Sequence, residues 1–195
     1  MATGIVGTNA LEQVLPRLGR ADVMYRIATR TTFPSWGYQV HRGATTLWET
    51  WEDAPEKQMS LNMKMLGSTK KFFYHDLAGI RRTSPGWSAV SIRPQVVGDL
   101  KWVRAQVRTP RGVISVDWRR VSKGLNLKLV VPANVRAKLS LPTLGIEQPT
   151  IKESGLTAWD KERVVLGIAG MQTGYRERQY VTLELGNGRY AFTVR

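Results

Sequence analysis

Glu49 is the one carboxylate in this chain that stands among tryptophans: Trp48 precedes it directly, Trp51 follows two residues later, and Trp36 lies upstream. A carboxylate between flat apolar rings is partly desolvated, and a positioned carboxylate can take a proton from water. Indole faces suit the ring carbons and methyl group of a deoxysugar, although tryptophans near a β-sheet serve equally as core or interface. Residue types and spacing alone leave Glu49 open between a catalytic carboxylate and an exposed or ion-paired side chain.

Other reactive side chains are dispersed. His41 and His75 have no carboxylate or second histidine at ligand spacing, so no metal site is expected. Glu52, Asp53 and Glu56 read as a solvated acidic loop with too few oxygen ligands for calcium. Gly4 and Gly7 lack the lysine and preceding strand of a phosphate loop. Ser35 has no recognisable histidine and carboxylate partners, which leaves a hydrolase triad unsupported. Cysteine is absent, so disulfides and thiolate chemistry are excluded. No cofactor is implied.

The elements that would position these residues change character near residue 83. Upstream, Ala10, Leu11, Val14, Leu15 and Leu18 recur at helical spacing before a stop at Gly19, and Ala21, Met24, Tyr25, Ile27 and Ala28 mark a second helix. The short link predicts an αα-hairpin. A third helix is expected from about Leu61 to Gly79, with Met65, Leu66, Phe72, Phe73, Leu77 and Ala78 inward. Between them, Thr31 to Gln58 reads as a long irregular stretch, a length more often functional than incidental. Downstream, Trp87–Ile92, Leu100–Val107, Val113–Trp118, Leu125–Val131, Val135–Leu141, Tyr180–Leu185 and Tyr190–Val194 alternate as strands separated by turn residues. Residues 145–179 are ambiguous, with one more strand expected near Val164. The fold class is therefore α+β, a helical part over 1–83 and an antiparallel β-sandwich over 84–195.

With 42% hydrophobic residues in 195, the chain has ample material for a core. The formal charge of +14 is uneven: residues 1–80 carry +2 and residues 81–195 carry +12. Arg104, Arg108, Arg111, Arg119 and Arg120 mostly alternate with apolar residues, the pattern of a solvated sheet face, and no run of five like charges marks a basic tail. Neither nucleic acid nor membrane is the expected partner. The longest apolar runs are strand-sized. The amino terminus shows no secretory signal, which leaves the compartment unknown. Three helices form a thin layer that must bury its stripe against something, so residues 1–80 are expected either to belong to a larger body or to support a homo-oligomer.

The segments Thr31-Thr32-Phe33-Pro34-Ser35-Trp36-Gly37-Tyr38 and Gly43-Ala44-Thr45-Thr46-Leu47-Trp48-Glu49-Thr50-Trp51 resemble the late catalytic barrel of family 78 glycoside hydrolases, the α-L-rhamnosidases. The likeness continues through Ser60-Leu61-Asn62, Gly67-Ser68, Leu77-Ala78-Gly79-Ile80, Pro85-Gly86-Trp87 and Ile92-Arg93-Pro94. It extends to Pro110-Arg111-Gly112-Val113-Ile114-Ser115 and Val130-Val131-Pro132-Ala133-Asn134. The resemblance implies the last helices of an (α/α)6 barrel followed by a carboxy-terminal β-sandwich, and rhamnose-containing glycans or glycosides as partners. It places the general base of an inverting hydrolase on Glu49, beside which Trp36, Trp48 and Trp51 are candidate sugar platforms that read equally as core or interface. The family's general acid has no counterpart in this chain, which is therefore expected to be inactive alone. After Ser-Leu-Asn the family often carries a sugar-contacting histidine; here Met63 stands, which offers no strong hydrogen bond. Two rival readings are a non-catalytic carbohydrate-binding or scaffolding module and a basic polyanion-binding protein.

Overall fold

Helix α1 (Ile5–Arg17) ends where Gly19 takes a left-handed conformation, φ +75°. The amide of Arg20 donates to Leu15 O at 2.8 Å and that of Gly19 to Pro16 O at 3.1 Å, the paired bonds of a Schellman cap. Helix α2 (Ala21–Thr29) follows and packs on α1, burying Ala21, Met24 and Ala28. The expected αα-hairpin is present. The structure is a computed structural model describing residues 3–52, 60–165 and 167–195. It divides into two compact units, Met1–Phe73 and Tyr74–Arg195.

The face that α1 buries differs from the one its apolar pattern indicates. Val14 and Leu18 are 48% and 71% exposed, and the buried row is Thr8, Glu12 and Pro16. These three stand at i, i+4 and i+8, so they form one stripe of their own. The apolar stripe faces outward, consistent with a helix whose usual cover is not part of this unit.

Two further departures concern the loop and the third helix. Inside the stretch read as irregular, Ser35 caps a short helix α3 (Trp36–His41), its hydroxyl accepting from Tyr38 N at 2.9 Å. The expected continuous helix from Leu61 to Gly79 is broken. A 3₁₀ turn (Lys64–Leu66) is followed at Gly67 by helix α4 (Thr69–Lys71), which runs into a π-helical turn (Phe72–Leu77). A side chain at Gly67 would come within 2.8 Å of Lys64 O, so the tight turn there needs glycine. The break also turns Met65 and Phe73 outward, while Leu66, Phe72, Leu77 and Ala78 are buried.

The second unit holds two sheets. One orders β1 (Ile80–Arg82), β2 (Ala89–Ile92), β6 (Arg136–Pro142), β11 (Tyr180–Leu185) and β10 (Met171–Glu177). The other orders β3 (Trp102–Thr109), β4 (Gly112–Val121), β5 (Gly124–Val131), β12 (Gly188–Val194), β7 (Ile151–Glu153), β8 (Leu156–Asp160) and β9 (Arg163–Val164). All pairings are antiparallel except β2 with β6. Side chains from both sheets, among them Ile92, Leu139, Leu183, Val116, Leu127 and Phe192, share one core, which makes a β-sandwich. Trp118 lies fully buried within it and satisfies its indole N–H on Leu77 O at 2.8 Å. The ambiguous stretch 145–179 contains four short strands, with turns at Ser154-Gly155, an ordinary turn pair, and at Lys161, Glu162 and Arg178, residues at positive φ that give no ordinary turn signal.

Glu12 is the costly feature of the helical unit. It is 3% exposed, and both its oxygens, with the hydroxyls of Ser68 and Thr69, lack hydrogen-bond partners among the described residues. Burial pushes its carboxyl up to about 7, against the opposing pull of the nearby Ser68 hydroxyl and the Lys71 charge. The folded state therefore binds this proton more tightly than the unfolded chain does. That contribution is complete below about pH 4.5 and is lost as pH rises through about 7. The helical unit is predicted to melt lower at pH 8 than at pH 5, and Glu12→Gln to flatten that dependence in circular dichroism melts. Parallel pH profiles for the two proteins would refute the assignment.

Candidate active site

The segment around Glu49 has no regular secondary structure, and hydrogen bonds to a second segment hold it. Glu49 N donates to Ser60 O at 2.9 Å and Met63 N donates to Leu47 O at 2.8 Å, so residues 47–49 run beside 60–63. The Thr46 hydroxyl adds a bond to Leu61 O. Ser60 N donates in turn to Glu49 Oε2 at 2.9 Å. The carboxylate is thus gripped on one oxygen by a main-chain N–H, while Oε1 takes no hydrogen bond among the described residues. A charge-assisted bond of this kind fixes the orientation of a side chain that would otherwise sample several rotamers.

The clamp is tied to the helices through polar side chains. Gln39 of α3 is 2% exposed and donates through Nε2 to Thr50 O at 2.8 Å, one residue beyond Glu49. Arg30 Nη2 donates to Pro34 O at 2.6 Å, and the Ser35 hydroxyl donates to Arg30 O at 2.6 Å, so the corner before α3 is closed on the end of α2. A Cβ on Gly37 would stand 2.4 Å from Arg30 O and 2.6 Å from Thr29 O, so only glycine lets α3 approach α2 this closely. The indoles of Trp36 and Trp51 meet edge to face with centroids 4.8 Å apart. Trp36 Nε1 donates to Leu66 O at 2.9 Å and Trp51 Nε1 to Thr3 O at 3.0 Å.

These contacts border a cleft of about 550 Å³ in the helical unit. Its walls include Glu49, Trp51 and Glu52 with Phe33, Pro34, Ile5 and Leu66. The volume falls in the range of small-molecule sites, and the lining has their usual make-up, largely apolar with few polar groups. Of the residues singled out in the sequence, the cleft gathers Glu49 and Trp51. Trp36 and Trp48, 7% and 5% exposed, and the half-buried Met63 are not part of its lining among the described residues. Glu52 is exposed and borders the cleft as a second carboxylate, while Asp53 and Glu56 lie outside the described residues. His41 is exposed at the end of α3 and His75 half-buried in the π-helical turn. Sequence reasoning assigned no role to Gln39 or Ser60. A buried glutamine leaves no periodic trace, and Ser60 acts through its backbone.

The comparisons agree on one family. Residues 1–77 match the model for the bacterial alpha-L-rhamnosidase 6 hairpin glycosidase domain, and residues 79–155 match the bacterial alpha-L-rhamnosidase C-terminal domain. An alpha-L-rhamnosidase from Alteromonas sp. (strain LOR) is 34% identical over 149 residues, which cover 73% of this chain and 16% of that protein. Among solved structures, the alpha-L-rhamnosidase from Dictyoglumus thermophilum aligns with a TM-score of 0.89 and 32% identity, over 100% of this chain and 21% of that one. The Streptomyces avermitilis alpha-L-rhamnosidase complexed with L-rhamnose aligns with a TM-score of 0.82 and 30% identity, over 100% of this chain and 18% of that one. The fold is that of a glycoside hydrolase segment, a helical-hairpin part followed by a β-rich part. This chain belongs to the bacterial alpha-L-rhamnosidase family and spans about a fifth or less of the length of these relatives.

Proposed function

We propose that this chain supplies the general base, Glu49, of an inverting α-L-rhamnosidase, and that the general acid belongs to a part of the six-hairpin domain which it does not span. The observation that carries this reading is the Glu49 carboxylate, gripped on Oε2 by Ser60 N–H at 2.9 Å in the wall of a cleft with Trp51. A carboxylate so oriented can aim its other oxygen at a water and deprotonate it as it attacks the anomeric carbon. Inversion requires a second carboxyl group, about 6.5–9.5 Å away, to protonate the leaving oxygen. In this reading Trp51 offers an apolar wall to the rhamnose ring and methyl group and Trp36 backs it edge to face, while Trp48 and Met63, outside the lining among the described residues, would meet sugar only in the complete domain. On the same reading the unit Met1–Phe73 holds the closing helices of the barrel and the unit Tyr74–Arg195 its terminal sandwich, a boundary earlier than the change of pattern near residue 83 because β1 (Ile80–Arg82) already belongs to the sheet.

The reading that this segment is a carbohydrate-binding or scaffolding module gains from the same cleft, which needs no acid in order to bind. Turnover regained when the chain is combined with the remaining hairpins of the domain, and lost with Glu49→Gln, separates the two, because a binding module would restore none. The isolated chain is expected to leave an aryl α-L-rhamnoside uncleaved above background. Cleavage at a rate abolished by Glu49→Gln would contradict the missing-acid part of the proposal. The outward Val6, Val14, Leu18 and Val40 of the helical unit support self-association through residues 1–80. Light scattering at micromolar concentration is expected to show a dimer or larger species, and a monodisperse monomer would rule it out.

A further inference from the structure

The outer face of the seven-stranded sheet combines one exposed aromatic ring with cations in register. Along β3 the exposed positions are Trp102, Arg104, Gln106 and Arg108, alternating with half-buried ones. Trp102 stands opposite Arg119, Arg119 opposite Asn126, Asn126 opposite Thr193, and Thr193 opposite Lys152. This rank crosses five strands, a track of about 19 Å at the usual strand spacing. In the next rank Arg104 stands opposite Asp117, and Asp117 opposite Lys128. Asp117 is already engaged, with Arg104 Nε 2.9 Å from its Oδ2. Among the described residues Arg119, Lys128 and Lys152 form no ion pair.

Trp102 is 56% exposed on the outward row of β3, while Val103, Ala105 and Val107 on the alternate row pack against the core. An indole lying open on a sheet face, flanked by a guanidinium and an amide, offers what a pyranose ring recognises: a flat apolar surface with hydrogen-bond donors at its rim. The surrounding charge selects among glycans. Hydroxyls of a neutral sugar can accept from Arg119, Lys128 and Lys152, but a carboxylate also matches the arginine fork with charge-assisted bonds and is drawn by the positive field.

We infer that this face is a binding track for a polysaccharide carrying carboxylated sugars, with Trp102 stacking on one sugar ring and Arg119, Lys128 and Lys152 meeting carboxylates along the chain. The inference takes its glycan ligand from the family reading and is independent of Glu49, because it concerns binding without turnover. In function the track would hold an acidic polymer against the enzyme.

The test titrates the whole 195-residue chain with polygalacturonate and with the same polymer fully methyl-esterified, by calorimetry at two salt concentrations. Binding to the acid form is expected, weakened by salt and absent for the ester. Trp102→Ala is expected to weaken it roughly fivefold. Arg119→Gln and Lys128→Gln are each expected to weaken it roughly threefold. Arg178→Gln, the same charge change on a turn of the other sheet, should leave it unaltered, and circular dichroism confirms that each variant is folded. The inference is overturned if the ester binds equally, if Arg178→Gln weakens binding as much as Arg119→Gln, or if single-stranded DNA or dextran sulfate binds at least as tightly and responds alike to Trp102→Ala. Loss of hydrolysis in a reconstituted enzyme would touch the Glu49 reading and leave this one standing.

Discussion

The site depends on a main-chain clamp. Residues 47–49 have no helix or strand to hold them, and what fixes them is pairing with residues 60–63, closed by the Ser60 N–H on the Glu49 carboxylate. A carboxylate on an irregular segment would ordinarily lose much of its geometry to side-chain freedom. Here the N–H that aligns the segment also aligns the carboxylate, so backbone order and side-chain order are one constraint. Gln39 extends that constraint to α3, and Gly37 carries it to the end of α2. The proposed base is therefore positioned by a continuous path from an αα-hairpin to one oxygen atom.

The two units reach stability by different means. The sandwich is built around one core: both sheets pour apolar side chains into it, and of its two deeply buried tryptophans Trp118 has its N–H satisfied, while that of Trp159 has no partner among the described residues. The helical unit is built unlike a self-sufficient domain. Its first helix buries Thr8, Glu12 and Pro16 and turns Val14 and Leu18 outward. A buried carboxyl without a hydrogen-bond partner among the described residues is expensive, and burial raises its pKa to about 7. Both observations fit helices from a larger set of hairpins, as the six-hairpin domain matched by residues 1–77 suggests, and the relatives are about five times as long as this chain.

Much of this was legible in the sequence wherever a local rule decides the outcome. The stop at Gly19 follows from the left-handed conformation that glycine tolerates, and the long strands follow from alternation over a shared core. Legibility failed where tertiary context decides. The apolar stripe of α1 marks a helix correctly but not the face this unit buries. Helix α3 was hidden by the glycine and tryptophan content around it, although Pro34-Ser35 is a start signal with a mechanism. The four strands β7 to β10 are only two to seven residues long, and although Ser154-Gly155 is an ordinary turn signal, the next turn falls on Lys161 and Glu162, which rarely announce one. Within the site, Glu49 and Trp51 drew notice by their types. Ser60 and Gln39 did not, because one works through its backbone and the other through burial.

The central claim is that Glu49 deprotonates the attacking water, and one measurement bears on it most directly. This chain would be joined to the preceding hairpins of the Dictyoglumus thermophilum relative, and the first-formed anomer of released rhamnose followed by proton NMR. The account predicts the β-anomer from an α-linked substrate, and a fall in kcat of about 10²–10⁴-fold for Glu49→Gln with KM little changed. Release of the α-anomer first, or full activity in the Glu49→Gln protein, would contradict it.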